Sequence, residues 1–371
     1  MNDELSVSAA TLAAAVETHP PHVPLAAATR GAMVDAVHHG SVAVCDRDGR
    51  ILHSAGNPRF LAPTRSALKP FQAIPLVAAG GVERFGFTRP EVALMCASHS
   101  GETRHVDAAG SMLAKTGHTT SDLQCGTHVP GHYEISGTCP PPPPYSPLAH
   151  NCSGKHSGML AWCALCGAPK ETYLAFLHPL QVEIRRCVAH FTGIEAADLV
   201  RGIDGCSAPN YAVPLSALAT AFARLAAGDD ESQYGPAARV LADAMTAHPE
   251  MVSGNGRNDL AYMQAGRGDW VTKIGAEGIQ AIGVRSRGIG IVVKVADGNK
   301  RGLHPATVAV LDQLGLLDGA QREALVSWSE PPVRNYRGIL TGSIKPLVVL
   351  DKGAPASVSK SFGEAAVGRK A

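Results

Sequence analysis

Two side chains at the start of an apolar run are spaced for nucleophilic chemistry. The run TRSALKPFQAIPLVAAGG covers residues 64–81, and its polar members after Arg65 are Ser66, Lys69 and Gln72. On a helix, residues three apart share a face, so Ser66 and Lys69 are expected to be neighbours. Burial of Lys69 would disfavour its ammonium form, and a neutral amine can take the proton of a serine hydroxyl. The spacing predicts a Ser–Lys nucleophile, although S-x-x-K alone arises by chance in many proteins.

A second serine and a second lysine could complete this chemistry. Ser98 lies in ASHSGE, flanked by His99 and Glu102, and Lys273 lies in TKIGAEG on a predicted strand. Serine hydrolases of the penicillin-binding and β-lactamase type combine S-x-x-K with another serine motif and a Lys-[Ser/Thr]-Gly strand. Here Ile274 takes the Ser/Thr position. The match is therefore partial, which argues against a penicillin-like substrate.

The segments HNCSGKHSGML and GIDGCSAPN hold side chains that suit a metal ion. Cys152 and Cys206 would supply two thiolates, which Zn²⁺ favours together with nitrogen ligands, and His150 and His156 are close enough in sequence to compete as ligands. Alternatively, both cysteines are small buried hydrophobic residues. The glycines of SGKHSG could equally form a turn that presents backbone N–H groups to a substrate oxygen.

Composition excludes several classes of protein. The chain has 371 residues, of which 45% are hydrophobic, and a net charge of +1, which indicates a globular protein and argues against nucleic acid as a partner. The N-terminus is acidic where a signal peptide is basic, and no run reaches the ~18 apolar residues of a membrane span. We therefore predict a soluble, cytoplasmic protein whose nine cysteines are reduced.

Strand patterns occur near both ends of the chain, with helical patterns between them. HGSVAVCDRDGRILHSAG predicts a β-hairpin around RDG, and DWVTKIGAEGIQAIGVRSRGIGIVVKVADG predicts strands separated by glycine turns. Helical apolar spacing marks four intervening segments, HVDAAGSMLAKTG, YLAFLHPLQVEIRRCVAHF, LSALATAFARLAAG and AARVLADAMTAH.

These patterns predict an α/β fold of the α+β type, with one mixed sheet flanked by helices. We expect a single two-lobed catalytic domain over residues 1–350. Its sheet would come from about residues 30–60 and 270–350, and an inserted helical lobe from about residues 64–267. TCPPPPPYSP, residues 138–147, is expected to be a surface loop, and residues 351–371 a flexible tail.

Seven segments, in this order, resemble the rhizobial-type (class 3) L-asparaginases of the asparaginase II family: RSALKPFQAIPL, CASHSGE, CGTHVP, NCSGKHSGML, GIDGCSAPN, PEMVSGNGRND and KIGAEGI. The likeness extends from about Arg30 to Pro346. It implies a fold similar to serine β-lactamases and glutaminases, a homodimer, and hydrolysis of L-asparagine to L-aspartate and ammonia.

The resemblance also implies roles for individual residues. Ser66 is similar to the acyl-forming nucleophile with Lys69 as its base, and Ser98 with Lys273 to a second Ser–Lys pair that relays protons. Asp204 resembles the acidic residue beside the site. The family's ligands of an auxiliary zinc ion, completed by a water, correspond to Cys152, Lys155 and Cys206.

Two further residues are candidates for contact with the substrate. Arg257, in SGNGRND, could bind the α-carboxylate of asparagine through its planar guanidinium group, or could form an ordinary ion pair. His99 is placed with it at the predicted substrate site. The alternatives that we keep open are a β-lactamase-like hydrolase or glutaminase, a non-catalytic zinc-binding protein, and an enzyme in which zinc generates the nucleophile.

Overall fold

The protein is represented by a computed structural model that describes residues 22–228 and 232–352. Its strands are β1 Val23–Arg30, β2 Met33–Asp46, β3 Ile51–Ala55, β4 Leu61–Pro63, β5 Val200–Ile203, β6 Pro209–Pro214, β7 Trp270–Gly275, β8 Ile279–Val284, β9 Ile289–Val295, β10 Pro332–Arg334, β11 Leu340–Pro346 and β12 Asp351–Lys352.

The helices of the described ranges lie mainly between β4 and β7. They are α1 Lys69–Ala78, α2 Gly81–Phe85, α3 Arg89–Met95, α4 Thr103–Lys115, α5 Gly131–Ser136, α6 Ser153–Cys166, α7 Pro179–Thr192, α8 Leu215–Ala227, α9 Gly235–Ala247, α10 Pro249–Val252, α11 Asn258–Ala265, α12 Lys300–Gln313, α13 Gly319–Ala324 and α14 Val326–Ser329.

The strands form two antiparallel sheets. Across the described residues the larger sheet has nine strands in the order β10-β11-β1-β2-β9-β8-β7, with β3 and β12 joined beside β2. The predicted hairpin around RDG is confirmed, because β2 and β3 pair antiparallel, with Val44 opposite His53. The glycine-separated strands are also confirmed as β7, β8 and β9. The fold is mixed α/β with a sheet flanked by helices, as predicted, but the expectation of a mixed sheet is wrong, because its neighbouring strands all run antiparallel across the described residues.

Side chains alternate along each strand, so they point to the two faces of the larger sheet in turn. Each face is buried in a hydrophobic cluster of its own. On β2, Val42 and Val44 belong to one hydrophobic cluster, and Ala43 and Cys45 belong to the other. Helix α8 packs on β2, β8 and β9, whereas α12 packs on β1, β9 and β11. A Cβ atom at Gly290 would collide with the carbonyl group of Ala219, so glycine at this position lets α8 approach the sheet closely.

The helices between the strands share a core with one face of the sheet. Phe71 of α1 lies 5.2 Å from Phe191 of α7 and 5.6 Å from Phe222 of α8, measured between ring centroids. Such aromatic pairs contribute about 0.5–1.5 kcal/mol each beyond the area they bury. This cluster fixes α1, which carries the first lysine of the predicted site, against the helix that packs on the sheet.

Two details differ from the sequence predictions. The pattern in YLAFLHPLQVEIRRCVAHF predicts a helix from Tyr173, but α7 begins at Pro179, with the His178 side chain accepting a hydrogen bond from the Leu180 N–H. Proline disfavours helix at the residue before it and suits the first helical turn, so Pro179 sets the start. The segment expected to be a helical lobe also contains β5 and β6. β6 pairs with β4 on one side and β5 on the other, in a three-stranded sheet whose strands are too short for a readable alternation.

The other segments agree with the sequence or lie outside the described residues. Residues 138–146 form a largely exposed loop without helix or strand, as predicted. Asp351 and Lys352 pair with β3, whereas the rest of the predicted tail, 353–371, is outside the described ranges, as are residues 1–21. None of the helices described is long and apolar enough to cross a membrane. The predicted domain limits remain a prediction.

Candidate functional site

The first serine and lysine lie where a short 3₁₀ turn becomes a helix. Ser66 is within the turn Arg65–Leu68, and Lys69 is the first residue of α1, its backbone N–H donating to the Ser66 carbonyl oxygen. Pro70 occupies the first turn of the helix, where its missing N–H costs no helical hydrogen bond. Ser66 is half-buried, whereas the side chain of Lys69 is buried in the protein. The predicted helical neighbours therefore differ in their access to solvent.

The second serine lies between both predicted lysines. Ser98 Oγ is 2.9 Å from Lys69 Nζ and 2.8 Å from Lys273 Nζ. Ser98 follows α3 and is held by its backbone N–H, which donates to the carbonyl oxygen of Val252. Ser66 Oγ makes no hydrogen bond to any residue of 22–228 or 232–352, so its predicted contact with Lys69 is not made in this structure.

Backbone carbonyl groups fix the orientation of both amines. Lys69 Nζ donates to the carbonyl oxygens of Ala97 at 2.6 Å and Asn151 at 3.2 Å, and Lys273 Nζ donates to that of Ile274 at 2.8 Å. A carbonyl oxygen can only accept, so these contacts use amine hydrogens. One further position on each nitrogen is directed at Ser98, which can accept from one amine and donate to the other. Ser98 thus connects the two lysines by a path along which a proton can move.

The electrostatic environment favours a neutral amine at one end of this path. Burial lowers the pKa of Lys273 to about 7; the Asp259 carboxylate opposes this shift, and nearby Lys69 and Arg257 reinforce it. Asp259 Oδ2 is 3.7 Å from Lys273 Nζ, and both side chains are fully buried. Near neutral pH, a substantial fraction of Lys273 therefore carries a lone pair that can accept the Ser98 proton.

Sequence reasoning did not assign a role to Asp259. It lies on α11 and accepts hydrogen bonds from the Thr272 hydroxyl, the Ile274 N–H and the Gln280 side chain. It therefore fixes β7, and with it Lys273, against α11. The residue stands within PEMVSGNGRND, so its motif was visible, but only the tertiary fold shows that its carboxylate faces Lys273.

The predicted metal-binding residues also converge. Cys152 is the N-cap of α6, Lys155 lies in the first turn of that helix, and Cys206 lies in the loop between β5 and β6. Lys155 Nζ is 2.9 Å from Cys206 Sγ, and all three side chains are buried. A hydrogen bond with Cys206 and the positive charges of Lys69 and Lys155 hold the pKa of the Cys152 thiol well below its usual value, against the opposing effect of burial.

The fit to a metal ion rests on the chemistry of these donors. Two thiol groups and one amine match the N/S preference of zinc. Within the described ranges no group of three or more His, Cys, Asp or Glu side chains has metal-binding geometry, and the third donor of this set is a lysine. His150 is occupied because its Nδ1 accepts from the Cys152 N–H at 3.0 Å. His156 Nδ1 contacts the Tyr173 hydroxyl at 2.7 Å, but its buried Nε2 has no partner among the described residues.

Asp204 connects this group to the first serine. Its carboxylate accepts from Arg65 Nε at 2.9 Å; burial raises its pKa, but Lys155 and Arg65 outweigh that effect and lower it overall. Arg65 itself has φ +48°, a conformation that is strained for a non-glycine residue, and Asn210 bonds both its N–H and its carbonyl oxygen. The residue before Ser66 is therefore held rigidly, which sets the direction of the serine.

His99 is buried with both ring nitrogens engaged. The Gly101 N–H donates to Nδ1 at 3.1 Å, and Nε2 is 2.9 Å from Ser153 Oγ. The Ser153 hydroxyl donates to the carbonyl oxygen of Leu148, so the ring must donate from Nε2. Burial and the neighbouring His105 lower the pKa of His99 well below its usual value. The ring is neutral and joins the loop of Ser98 to the helix of Lys155.

Arg257 is half-buried at the N-cap of α11, two residues before Asp259. Its guanidinium group has no hydrogen-bond or ion-pair partner in the described part of the chain, and its charge contributes to the lowered pKa of Lys273. An arginine without a carboxylate partner beside a reactive centre is available to an anionic ligand. The ordinary ion pair considered as its alternative is not seen among the described residues.

A serine hydroxyl with two amines, in a site shielded from bulk water, has the chemistry of acyl transfer. The profile of the L-asparaginase II family matches residues 26–346, and the chain belongs to this family. At the level of the family, the protein is an amidohydrolase of the L-asparaginase type.

Solved structures show only distant likeness. A β-lactamase from Mycobacterium bovis is 14% identical with a TM-score of 0.39, and the match covers 74% of this chain and 94% of that protein. The protein Mglu in its glutamate form is 17% identical with a TM-score of 0.35, and the match covers 76% of this chain and 62% of that protein. Both TM-scores are below 0.5, so nothing further is concluded from them. No match was found among curated proteins.

Proposed function

We propose that this protein is an L-asparaginase of the rhizobial type, which hydrolyses L-asparagine to L-aspartate and ammonia through an acyl-enzyme. The observation that carries the proposal is Ser98 Oγ within 2.9 Å of two buried lysine amines, with Ser66 one helical turn from the first of them. Two amines joined through one hydroxyl can take a proton at one end and release it at the other. Amide hydrolysis requires both transfers, because the nucleophile loses a proton and ammonia gains one.

In this proposal Ser66 attacks the side-chain carbonyl of asparagine. Its half-buried position leaves it within reach of a substrate, whereas Ser98 is enclosed. Lys69 is the base for Ser66, and the proton passes through Ser98 to Lys273. Contacts of this kind are often incomplete without substrate, so the missing Ser66–Lys69 bond is compatible with the role. Backbone N–H groups would stabilise the oxyanion, and the proton taken from Ser66 would return along the lysines to the amide nitrogen as the C–N bond breaks and ammonia leaves. Water would then hydrolyse the Ser66 ester, which releases aspartate and restores the hydroxyl.

Polar and charged residues around the serines would orient the substrate. Arg257 is unpartnered within the described ranges and is proposed to bind the α-carboxylate. Asp204, already bonded to Arg65, would hold the arginine and the turn that carries Ser66 in place. His99 is proposed to border the substrate site, with its ring fixed by Ser153 and Gly101.

A zinc ion is proposed as an auxiliary cofactor at Cys152, Lys155 and Cys206. Bound there, zinc would supply positive charge that aids substrate binding, while the serine remains the nucleophile. Binding would require an unprotonated Lys155, because an ammonium group has no lone pair to offer. The expected result is that Cys206→Ser lowers the zinc content per chain and raises KM, whereas Ser98→Ala retains zinc. Equal zinc content in the wild type and in Cys206→Ser would show that zinc does not bind at this site.

The test of the function is a steady-state ammonia assay on asparagine and on glutamine, with and without a strong chelator, alongside a nitrocefin assay. We expect turnover of asparagine, a KM that rises after chelation, and no hydrolysis of nitrocefin. Preferred turnover of nitrocefin or glutamine would favour the β-lactamase-like or glutaminase alternative. Bound zinc without any amide hydrolysis would favour a metal-binding protein. Complete loss of the maximal rate on chelation would assign the nucleophile to the metal site.

One observation favours a second assignment within the same activity. Ser98 has two amines at hydrogen-bond distance, whereas Ser66 has none among the described residues, so Ser98 could itself be the nucleophile. The two assignments differ in which serine carries the acyl group. We also propose that the protein is a homodimer in the cytoplasm. Sedimentation of the purified protein at micromolar concentration tests whether it is a dimer.

A further inference from the structure

A pocket lies outside the Ser–Lys centre. It has a volume of about 420 Å³ and is open on one side to solvent. The β8–β9 hairpin, the end of α8, the turn after β2 and helix α9 form its walls. Its lining residues are Arg47, Ala226, Ala227, Arg239, Asp243, Arg285, Arg287 and Gly288.

The pocket lies further along the sheet than the second lysine. Ala281 of β8 pairs with Lys273, and β8 ends three residues later at Val284, beside the pocket. At a rise of roughly 3.3 Å per residue, these two backbone positions are on the order of 10 Å apart. None of the residues proposed for amide hydrolysis lines it, so it is a separate feature of the fold.

The lining has a strong excess of positive charge. It contains four arginines and one carboxylate, Asp243, which accepts from Arg285 Nη2 at 2.7 Å. Arg287 has no hydrogen-bond or ion-pair partner within residues 22–228 and 232–352, and Arg239 uses its Nε to bind the carbonyl oxygen of Gly228. Arg47 already has an interaction of its own, so the inference rests on the other three. Their mutual repulsion at one pocket is unfavourable unless an anion neutralises it.

One donor in the pocket is also left unsatisfied. The Nε of Arg285 is buried and has no acceptor among the described residues, although Asp243 holds the other end of the same guanidinium group. An unpaired buried donor is costly, and native structures generally supply an acceptor from the protein, from water or from a ligand. Asp243 and the Gly228 carbonyl thus position the arginines while their remaining N–H groups stay available.

From this geometry we propose that the pocket binds the phosphate group of a small organic phosphate. Guanidinium groups bind phosphate in paired hydrogen bonds, and arginine is preferred where this planar recognition is needed. The volume is within the range of small-molecule sites, so it holds more than a bare phosphate ion. Ala226 and Ala227 provide an apolar wall for the organic part of the ligand.

The test measures binding of ribose 5-phosphate, ATP and inorganic phosphate to the full chain at low ionic strength, by calorimetry and by thermal unfolding. For the organic phosphates we expect measurable affinity, weakened by added salt, and an unfolding midpoint raised by about 2–4 °C at saturating ligand. Inorganic phosphate is expected to bind at least about tenfold more weakly, which corresponds to the lost contacts of the organic part.

The decisive variant is Arg285→Gln/Arg287→Gln, which should lose at least about tenfold in affinity for both organic phosphates. The matched control Arg89→Gln/Arg337→Gln removes the same charge at two exposed arginines outside the pocket and should bind as the wild type does. Neither double variant alters the proposed amide hydrolysis, so ammonia release from asparagine verifies that each is correctly folded. Circular dichroism serves the same purpose if the chain proves to have a different activity.

Three results would overturn the proposal. They are equal binding by the wild type and the pocket variant, no binding of organic phosphate by the wild type, and equal affinity for inorganic and organic phosphate. If the wild type does not bind, changing Asp229, Asp230 and Glu231 to their amides shows why. Those residues lie outside the described ranges, and binding by that variant alone would show that the chain's own carboxylates neutralise the arginines.

Discussion

Two buried lysines in this protein have their pKa shifted in opposite directions. Lys273 is fully buried, and burial lowers its pKa to about 7. Burial has the same sign at Lys155, but the interactions with Cys206 and Cys152 outweigh it and raise the pKa of that amine. The nearest carboxylate oxygen to Lys273 is 3.7 Å away, whereas Cys206 Sγ is 2.9 Å from Lys155.

Burial alone therefore does not decide the protonation of a lysine. At Lys273 the positive charges of Lys69 and Arg257 add to the effect of burial, and one carboxylate opposes them. At Lys155 the negative charges dominate. The first environment releases a proton near neutral pH, as a proton relay requires. The second keeps the amine of Lys155 protonated near neutral pH. The zinc ion proposed at this site would therefore have to displace that proton in order to bind.

The largest expected effect comes from Ser66→Ala. This change should affect the Ser–Lys centre around Lys273 and leave the cysteine site around Lys155 unaltered. Removal of the proposed nucleophile should lower kcat for asparagine by about 10⁴-fold or more, because variants that lack a nucleophile lose most of the acceleration. Zinc content and the circular dichroism spectrum should be unchanged, since Cys152, Lys155 and Cys206 are untouched. Ammonia release is the measurement, and near-normal turnover in this variant would refute the role of Ser66.

Lys273→Met should lower kcat by about 10²–10⁴-fold, which is the usual contribution of a positioned acid or base. In the wild type, kcat/KM should fall as the pH drops through about 7, because Lys273 becomes protonated and can no longer accept from Ser98. A rate profile flat from pH 5.5 to 8.5 would contradict this role. The unfolding free energy should rise with pH between about 7 and 10.5, since the unfolded chain binds the proton that native Lys273 has lost.

Arg257→Gln should raise KM for asparagine by about 10–100-fold with a smaller change in kcat, which corresponds to the loss of one charge-assisted contact. The measurement is the steady-state rate as a function of substrate concentration. Arg267→Gln is a suitable control, because Arg267 is an exposed arginine paired with Asp318. An unchanged KM would show that Arg257 does not bind the α-carboxylate of the substrate.

The smallest effect is expected from Asp259→Asn, which alters the charge beside Lys273 without removing the amine. The carboxylate raises the pKa of Lys273, so its loss should move the acid limb of the kcat/KM profile to lower pH, by up to about one unit. A shift toward higher pH would mean that the Asp259 carboxylate does not stabilise the protonated form of Lys273. The variant should also be less stable, because an amide nitrogen would face the Ile274 N–H.

Local patterns predicted the parts of the site that depend on short segments. The spacing of Ser66 and Lys69 predicted their common turn, and the glycine-separated strands predicted the position of Lys273. These features depend on helical and strand periodicity, which can be read from single segments. The resemblance to a family then grouped Cys152, Lys155 and Cys206, which the structure brings together.

Contacts between distant segments could not be predicted in the same way. The sequence paired Ser66 with Lys69 and Ser98 with Lys273, but the structure places both amines on Ser98, because α1, the loop after α3 and β7 meet there. The burial of Asp259 against Lys273 likewise depends on how α11 packs on β7. Pro179 is a local signal for the start of α7, but the apolar residues before it also fit a helical pattern. The predicted helix was therefore extended too far towards the N-terminus.

The most direct test of the proposed mechanism is to identify the acylated residue. Wild-type protein is mixed with asparagine, quenched in acid within milliseconds, digested and analysed by mass spectrometry. We predict an aspartyl ester on the peptide that contains Ser66, and none in Ser66→Ala. An ester on the peptide that contains Ser98, or steady ammonia release with no ester on either serine, would contradict the assignment of Ser66 as the nucleophile.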